Sequence, residues 1–118
     1  MKKLITVATL VATLAAPASA SALMHAGPGE TWKECGRVEE LSVSVIQPGT
    51  SCGLGRSVMQ QVIRHSQSPN ARIRNQRRYT VRAYSPVTHR HYLVQVHDST
   101  EVAFWNTRLR IAGSGSWD

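Results

Sequence analysis

The side chains with most chemistry to offer in this chain are two cysteines, five histidines and a short run of arginines. Cys35 and Cys52 belong to no Cys-x-x-Cys pair and adjoin no histidine, the settings that make a thiolate a nucleophile or a metal ligand. A disulfide between them is therefore the expected state, with a free thiol as the alternative. The loop it closes, about 17 residues, is worth roughly 3 kcal/mol in the chain-entropy model. His89 and His91 form a His-x-His pair on one side of a predicted strand, and His97 lies at its far end with matching parity. From His91 to His97 an extended chain covers about 20 Å, too far for one ion, and no nearby carboxylate completes the three or four ligands that zinc needs. The pair reads as a solvated hairpin edge, and neither a metal nor any other cofactor is expected.

Ser51-Cys52-Gly53-Leu54-Gly55 has the look of a nucleophile turn or a phosphate loop. It lacks the lysine and hydroxyl residue of the second and the glycine spacing of the first, so it reads as the start of a helix. The carboxylates Glu30, Glu34, Glu39, Glu40, Asp98, Glu101 and Asp118 are spread over separate elements, with no pair placed for acid and base work. No enzyme is predicted. Arg72, Arg74, Arg77 and Arg78, interleaved with Asn70, Asn75 and Gln76, concentrate one sign of charge. Guanidinium forks suit phosphate and carboxylate groups, which makes these residues the candidate anion-binding site; the competing reading is a solvated loop. Only Tyr79 adjoins them among aromatics, so a sequence-specific nucleic-acid partner is not expected.

The elements that position these residues follow a leader. Met1-Lys2-Lys3, an apolar stretch from Leu4 to Ala16 and Pro17-Ala18-Ser19-Ala20 have the three-part layout of a signal peptide over residues 1–20, cleaved after Ala20, or after Ala22 as second choice. The apolar stretch is short of the about 20 residues a bilayer anchor needs. The full chain of 118 residues has 14 basic and 7 acidic side chains; without Lys2 and Lys3 the balance is 14 − 2 = 12 against 7, or +5. A secreted, basic, single-domain monomer is expected, with affinity for anionic partners.

Residues 21–31, with Ala26-Gly27-Pro28-Gly29, read as a flexible lead-in, and one α+β domain is expected over 32–112. Leu41, Val43 and Val45 alternate with serines as a first strand, closed by Gln47-Pro48-Gly49. Thr50 or Ser51 caps a helix over about Cys52 to Ser66, its apolar stripe formed by Cys52, Leu54, Gly55, Val58, Met59, Val62 and Ile63. Gly55 inside it points to close approach to a sheet. After an arginine-rich loop come strands at Tyr79–Ala83 and Tyr92–Val96, paired as a hairpin, then Val102–Trp105 and Arg108–Ala112, with 113–118 as a flexible tail. The predicted architecture is one helix on an antiparallel sheet of four to five strands, in the order β-α-β-β-β-β.

Thr50-Ser51-Cys52-Gly53 at a helix start, and Tyr84-Ser85-Pro86-Val87-Thr88 followed by His91-Tyr92, resemble two signatures of small uncharacterised secreted proteins common in actinobacteria and their phages. The likeness covers about residues 35 to 112. It implies a second cysteine pair joining the late strands where Val96 and Phe104 stand in this chain, so that packing would replace a bridge there. It carries no agreed activity and thus no catalytic residue.

The expected function is a non-enzymatic binding domain that contacts an anionic polymer of the envelope or the extracellular space through the arginine-rich loop. One alternative is an inhibitor or effector that docks on an extracellular protein through Trp105, Tyr84 and Trp117; a second is a small hydrolase.

Overall fold

The computed structural model describes residues 25–117; the predicted signal peptide lies outside them. Six strands, β1 (Thr31–Val38), β2 (Leu41–Gln47), β3 (Arg78–Ser85), β4 (Arg90–Asp98), β5 (Glu101–Asn106) and β6 (Ile111–Trp117), form one sheet. Its order is β1-β2-β6-β5-β4-β3, and every neighbouring pair is antiparallel. Helix α1 (Cys52–Ser66) carries the chain from β2 across to β3 at the far edge, and a single short turn of helix, α2 (Ala71–Arg74), follows it.

α1 begins where its residues say it should. The Ser51 hydroxyl accepts a hydrogen bond from the Leu54 amide at 3.1 Å, which satisfies one of the first-turn donors. Leu54, Gly55, Val58, Met59, Val62 and Ile63 form its buried face, packed over the inward residues of the sheet, among them Leu41, Val43, Val45, Val81, Ala83, Val94, Val96, Val102 and Phe104. Burial of this stripe, rather than intrinsic propensity, holds the helix in place. A Cβ on Gly55 would stand 2.5 Å from Val45 Cγ1, so the helix backbone rests directly on β2 at that point.

Val96 and Phe104 are register partners across β4 and β5, and both are buried. Two apolar side chains fill that position by packing. Cys35 and Cys52 are bonded, with Cα atoms 5.3 Å apart, and no cysteine among the described residues is free. The bridge fastens edge strand β1 to the first turn of α1. Arg56 reinforces the same junction by donating from Nη1 to the Cys35 carbonyl at 2.9 Å.

The sheet has six strands, where the pattern predicts four to five. The additional strand, β1, reads Thr-Trp-Lys-Glu-Cys-Gly-Arg-Val, without apolar alternation; it is an edge strand largely exposed to solvent, with a register shift between Glu34 and Arg37. The expected strand Arg108–Ala112 is instead a 3₁₀ turn, Thr107–Leu109, and a left-handed Arg110 (φ 59°), with β6 starting at Ile111. Leu109 is accordingly exposed and Ile111 buried, so they do not share a face. The expected tail at 113–118 belongs to β6 as far as Trp117, and β6 is an inner strand. Its glycines suit the packing, since a Cβ on Gly113 would overlap the Phe104 ring and lie 2.6 Å from the Ser44 carbonyl oxygen. The expected lead-in is ordered at its end: Glu30 Oε1 accepts from the Gly27 amide at 2.7 Å, Glu30 N donates to Gly27 O at 3.0 Å, and β1 begins at Thr31.

Among the described residues no helix is long and apolar enough to cross a membrane.

Candidate functional site

α1 covers one face of the sheet, and the other face carries the exposed side chains. Arg78, Thr80, Arg82 and Tyr84 of β3 stand opposite His97, Gln95, Leu93 and His91 of β4 on this second face. Gln95 in turn faces Trp105 of β5, and Trp105 faces Ala112 of β6. The side-chain period of two puts the valines of the same strands under the helix and Arg78, Arg82, Tyr84 and Trp105 outside.

One end of this open face is hollowed into a groove of about 690 Å³. Ile46, Ala103, Trp105 and Ala112 supply apolar surface to it, Arg78, His97 and Arg110 supply nitrogen donors, and the segment from His25 to Glu30 lines it as well. Ile46 is 5% exposed and Ala103 2% exposed although both point away from the helix, so chain outside the sheet covers them. A second hollow beside it brings Arg108 to the other side of Trp105, together with Thr80, Leu93 and Gln95.

The predicted arginine site divides. Asn70 caps α2 through Oδ1, which accepts from Arg72 N at 2.9 Å, so half of the expected loop is a helical turn. Arg72, Arg74, Arg77 and Arg78 are all exposed. Arg74 Nη1 donates to the Ser68 carbonyl at 2.8 Å and so helps hold the turn, while Arg78 is the first residue of β3 and the member that lines the groove.

The histidines do not behave as a strand pair. His89 lies in the turn before β4 with φ 60°, and its Nδ1 is 3.1 Å from the Tyr84 hydroxyl. His91 tilts against the same tyrosine, with ring centroids 5.1 Å apart. Both therefore bracket Tyr84 at one end of the hairpin, whereas His97 lines the groove. Among the described residues no group of three or more His, Cys, Asp or Glu side chains converges. The bonded Cys52 leaves no thiol for a nucleophile at the Ser51-Cys52-Gly53 turn. Of the expected aromatic anchors, Tyr84 is 39% exposed, Trp105 is half-buried in the groove, and Trp117 is half-buried against the core.

His25, Glu30, Ile46 and Arg110 are groove residues that the pattern does not single out. A signal for the groove is nonetheless present. Val45-Ile46 and Val102-Ala103-Phe104-Trp105 are apolar at both parities, which in a strand calls for cover on both faces.

A second cluster sits on the helix side of the sheet. Tyr79 donates its hydroxyl to Asp98 Oδ2 at 2.8 Å, and the His65 ring stacks on Tyr79 with centroids 3.6 Å apart and planes 6° apart. The His65 Nε2 is buried without a hydrogen-bond partner. Burial, then the hydrogen bond to Asp98 and its charge, raise the Tyr79 pKa far above the ordinary tyrosine range. The folded state thus keeps a proton that the unfolded chain loses near pH 10, so this group leaves stability unchanged below about pH 10 and lowers it as pH rises further. Melting temperature followed into the alkaline range should fall from about pH 10, and Tyr79→Phe should flatten that fall while costing about 1 kcal/mol at neutral pH. An unchanged alkaline profile in Tyr79→Phe would show that another group governs it.

The class defined by these features is an α+β domain with one helix-covered face and one open, cationic and aromatic face. In comparison with known proteins, no family model, curated protein or solved structure matches the chain.

Proposed function

We propose that the domain is an exported, non-enzymatic binding module that holds anionic polymers of the cell envelope or extracellular medium against its basic surface. The observation that carries this reading is the placement of Arg78 and Arg82 on the open face of the sheet with Arg108 and Arg110 at its rim, next to the exposed Arg72, Arg74 and Arg77. Like charges gathered on one surface repel, and an anionic chain or solvent must compensate them. The signal-peptide layout and the disulfide fit the same compartment.

Replacing Arg72, Arg74, Arg77 and Arg78 together by serine removes no core side chain and only the Arg74 bond to Ser68. The variant should fold, and should lose retention on a phosphate or sulfonate resin and on isolated envelopes. The lost part should be the salt-sensitive part, because exposed charges are screened beyond about 10 Å at 0.1 M salt. Envelope binding equal to that of the parent would leave these arginines a solvated surface.

A second reading, docking on an extracellular protein, is favoured by Tyr84, Val87, Leu93 and Leu109, all large, apolar and exposed. Binding through these residues would change little with added salt.

A further inference from the structure

The groove at the end of the open face differs in composition from the arginine-rich turn beside it. Its floor runs across the sheet from Arg78 on β3, through His97 on β4, Ala103 and Trp105 on β5 and Ala112 on β6, to Ile46 on β2. Four interstrand steps make this about 19 Å of backbone, room for a run of units and not for one small ion. Arg78 stands at the β3 end, and Arg110, in the turn that leads into β6, lies toward the other. Between the two cations lie the imidazole of His97, the indole of Trp105 and the aliphatic surface of Ala103 and Ala112.

That alternation selects a ligand. A single phosphate has no use for the apolar floor, and a neutral glycan has none for the arginines. A chain whose units each carry a ring and an acid group uses both. Among such chains, a nucleic-acid strand wants a stacking surface for each base and meets one indole here. Sugar hydroxyls, by contrast, can donate to Glu30 and bond to the imidazoles of His25 and His97.

Resting on the polyanion reading above, we propose that this groove holds a short run of acidic sugar units of an anionic polysaccharide, one ring lying on Trp105 and acid groups meeting Arg78 and Arg110.

The test is a titration of the mature protein with a short oligogalacturonate, read by tryptophan fluorescence and by calorimetry. Its comparison arms are the same oligomer with its carboxylates reduced to alcohols, an oligodeoxynucleotide and inorganic polyphosphate. The parent should bind the uronate more tightly than any of the three. Trp105→Ala should weaken uronate binding by about tenfold and abolish most of the fluorescence change, with Trp105→Phe retaining most of the affinity. Arg78→Gln, which touches no core position, should bring the acidic and reduced oligomers to similar affinity. Gln60→Ala, exposed on α1 and outside the groove, should bind as the parent does. Equal uronate binding by Trp105→Ala, or polyphosphate or oligonucleotide binding as tight as uronate, would overturn the groove assignment. Where the parent is retained on a phosphate resin yet ignores the uronate, the groove assignment falls and the polyanion reading stands; where the parent is not retained at all, both fall.

Discussion

Replacing Phe104 with alanine should lower the stability of the folded domain by about 3–5 kcal/mol, the largest effect expected from any single side chain. The ring is fully buried on β5, and it occupies the space beside Gly113 of β6 and under Gly55 of α1. Both neighbours are backbone held by hydrogen-bonded structure, so neither can move in to fill the hole, and a cavity that cannot collapse carries the highest cost. Urea unfolding should show a lower midpoint with unchanged slope. A loss below about 1 kcal/mol would mean that the helix, the ring and β6 are not stacked as described.

Breaking the bridge comes second. Cys52→Ser should cost about 2–5 kcal/mol, since the bond closes a loop of 17 residues and is the covalent tie between an exposed edge strand and the helix. The loss should concentrate on β1. Its apolar contribution to the core is small, and without the bridge its pairing with β2 and the Arg56 bond to the Cys35 carbonyl carry more of the task of holding it. Hydrogen exchange should therefore rise in β1 before it rises in β4 or β5. Intact mass before and after alkylation without reductant checks the premise, and two labelled thiols in protein freshly purified without reductant would remove it.

Parts of this architecture are legible in the residues and parts are not, for identifiable reasons. α1 can be read to the residue because a hydroxyl cap, a stripe at helical spacing and a terminal Ser-Pro-Asn all agree. The strands of the β3–β4 hairpin alternate cleanly because one face meets the helix and the other meets solvent. β1 escapes because an edge strand facing water on most sides needs no apolar period. β6 escapes because Gly-Ser-Gly-Ser has the composition of a linker, and its fitness as an inner strand depends on the bulk of Phe104 and Met59 across from it, a fact of tertiary packing. The open face shows the same division. Arg78 and Trp105 are conspicuous as types, but their convergence follows from strand order, and Arg110 reaches the groove only because a 3₁₀ turn ends in a left-handed residue. Ile46 and Ala103, apolar at the outward parity, are the trace of the groove that the sequence does contain.

The position of β6 between β2 and β5 has a bearing on how the sheet is assembled. The β1–β2 hairpin and the β3–β4–β5 meander each pair among near neighbours along the chain, but no strand pairing joins the two halves until the segment from Ile111 to Trp117 slots between them. Such distant pairing is slow to form. Until Ile111–Trp117 pairs, both halves of the sheet lack their shared inner strand. The order of strands thus makes the sheet an all-or-none object: losing the pairing of one glycine-rich strand would part it into two separate ribbons.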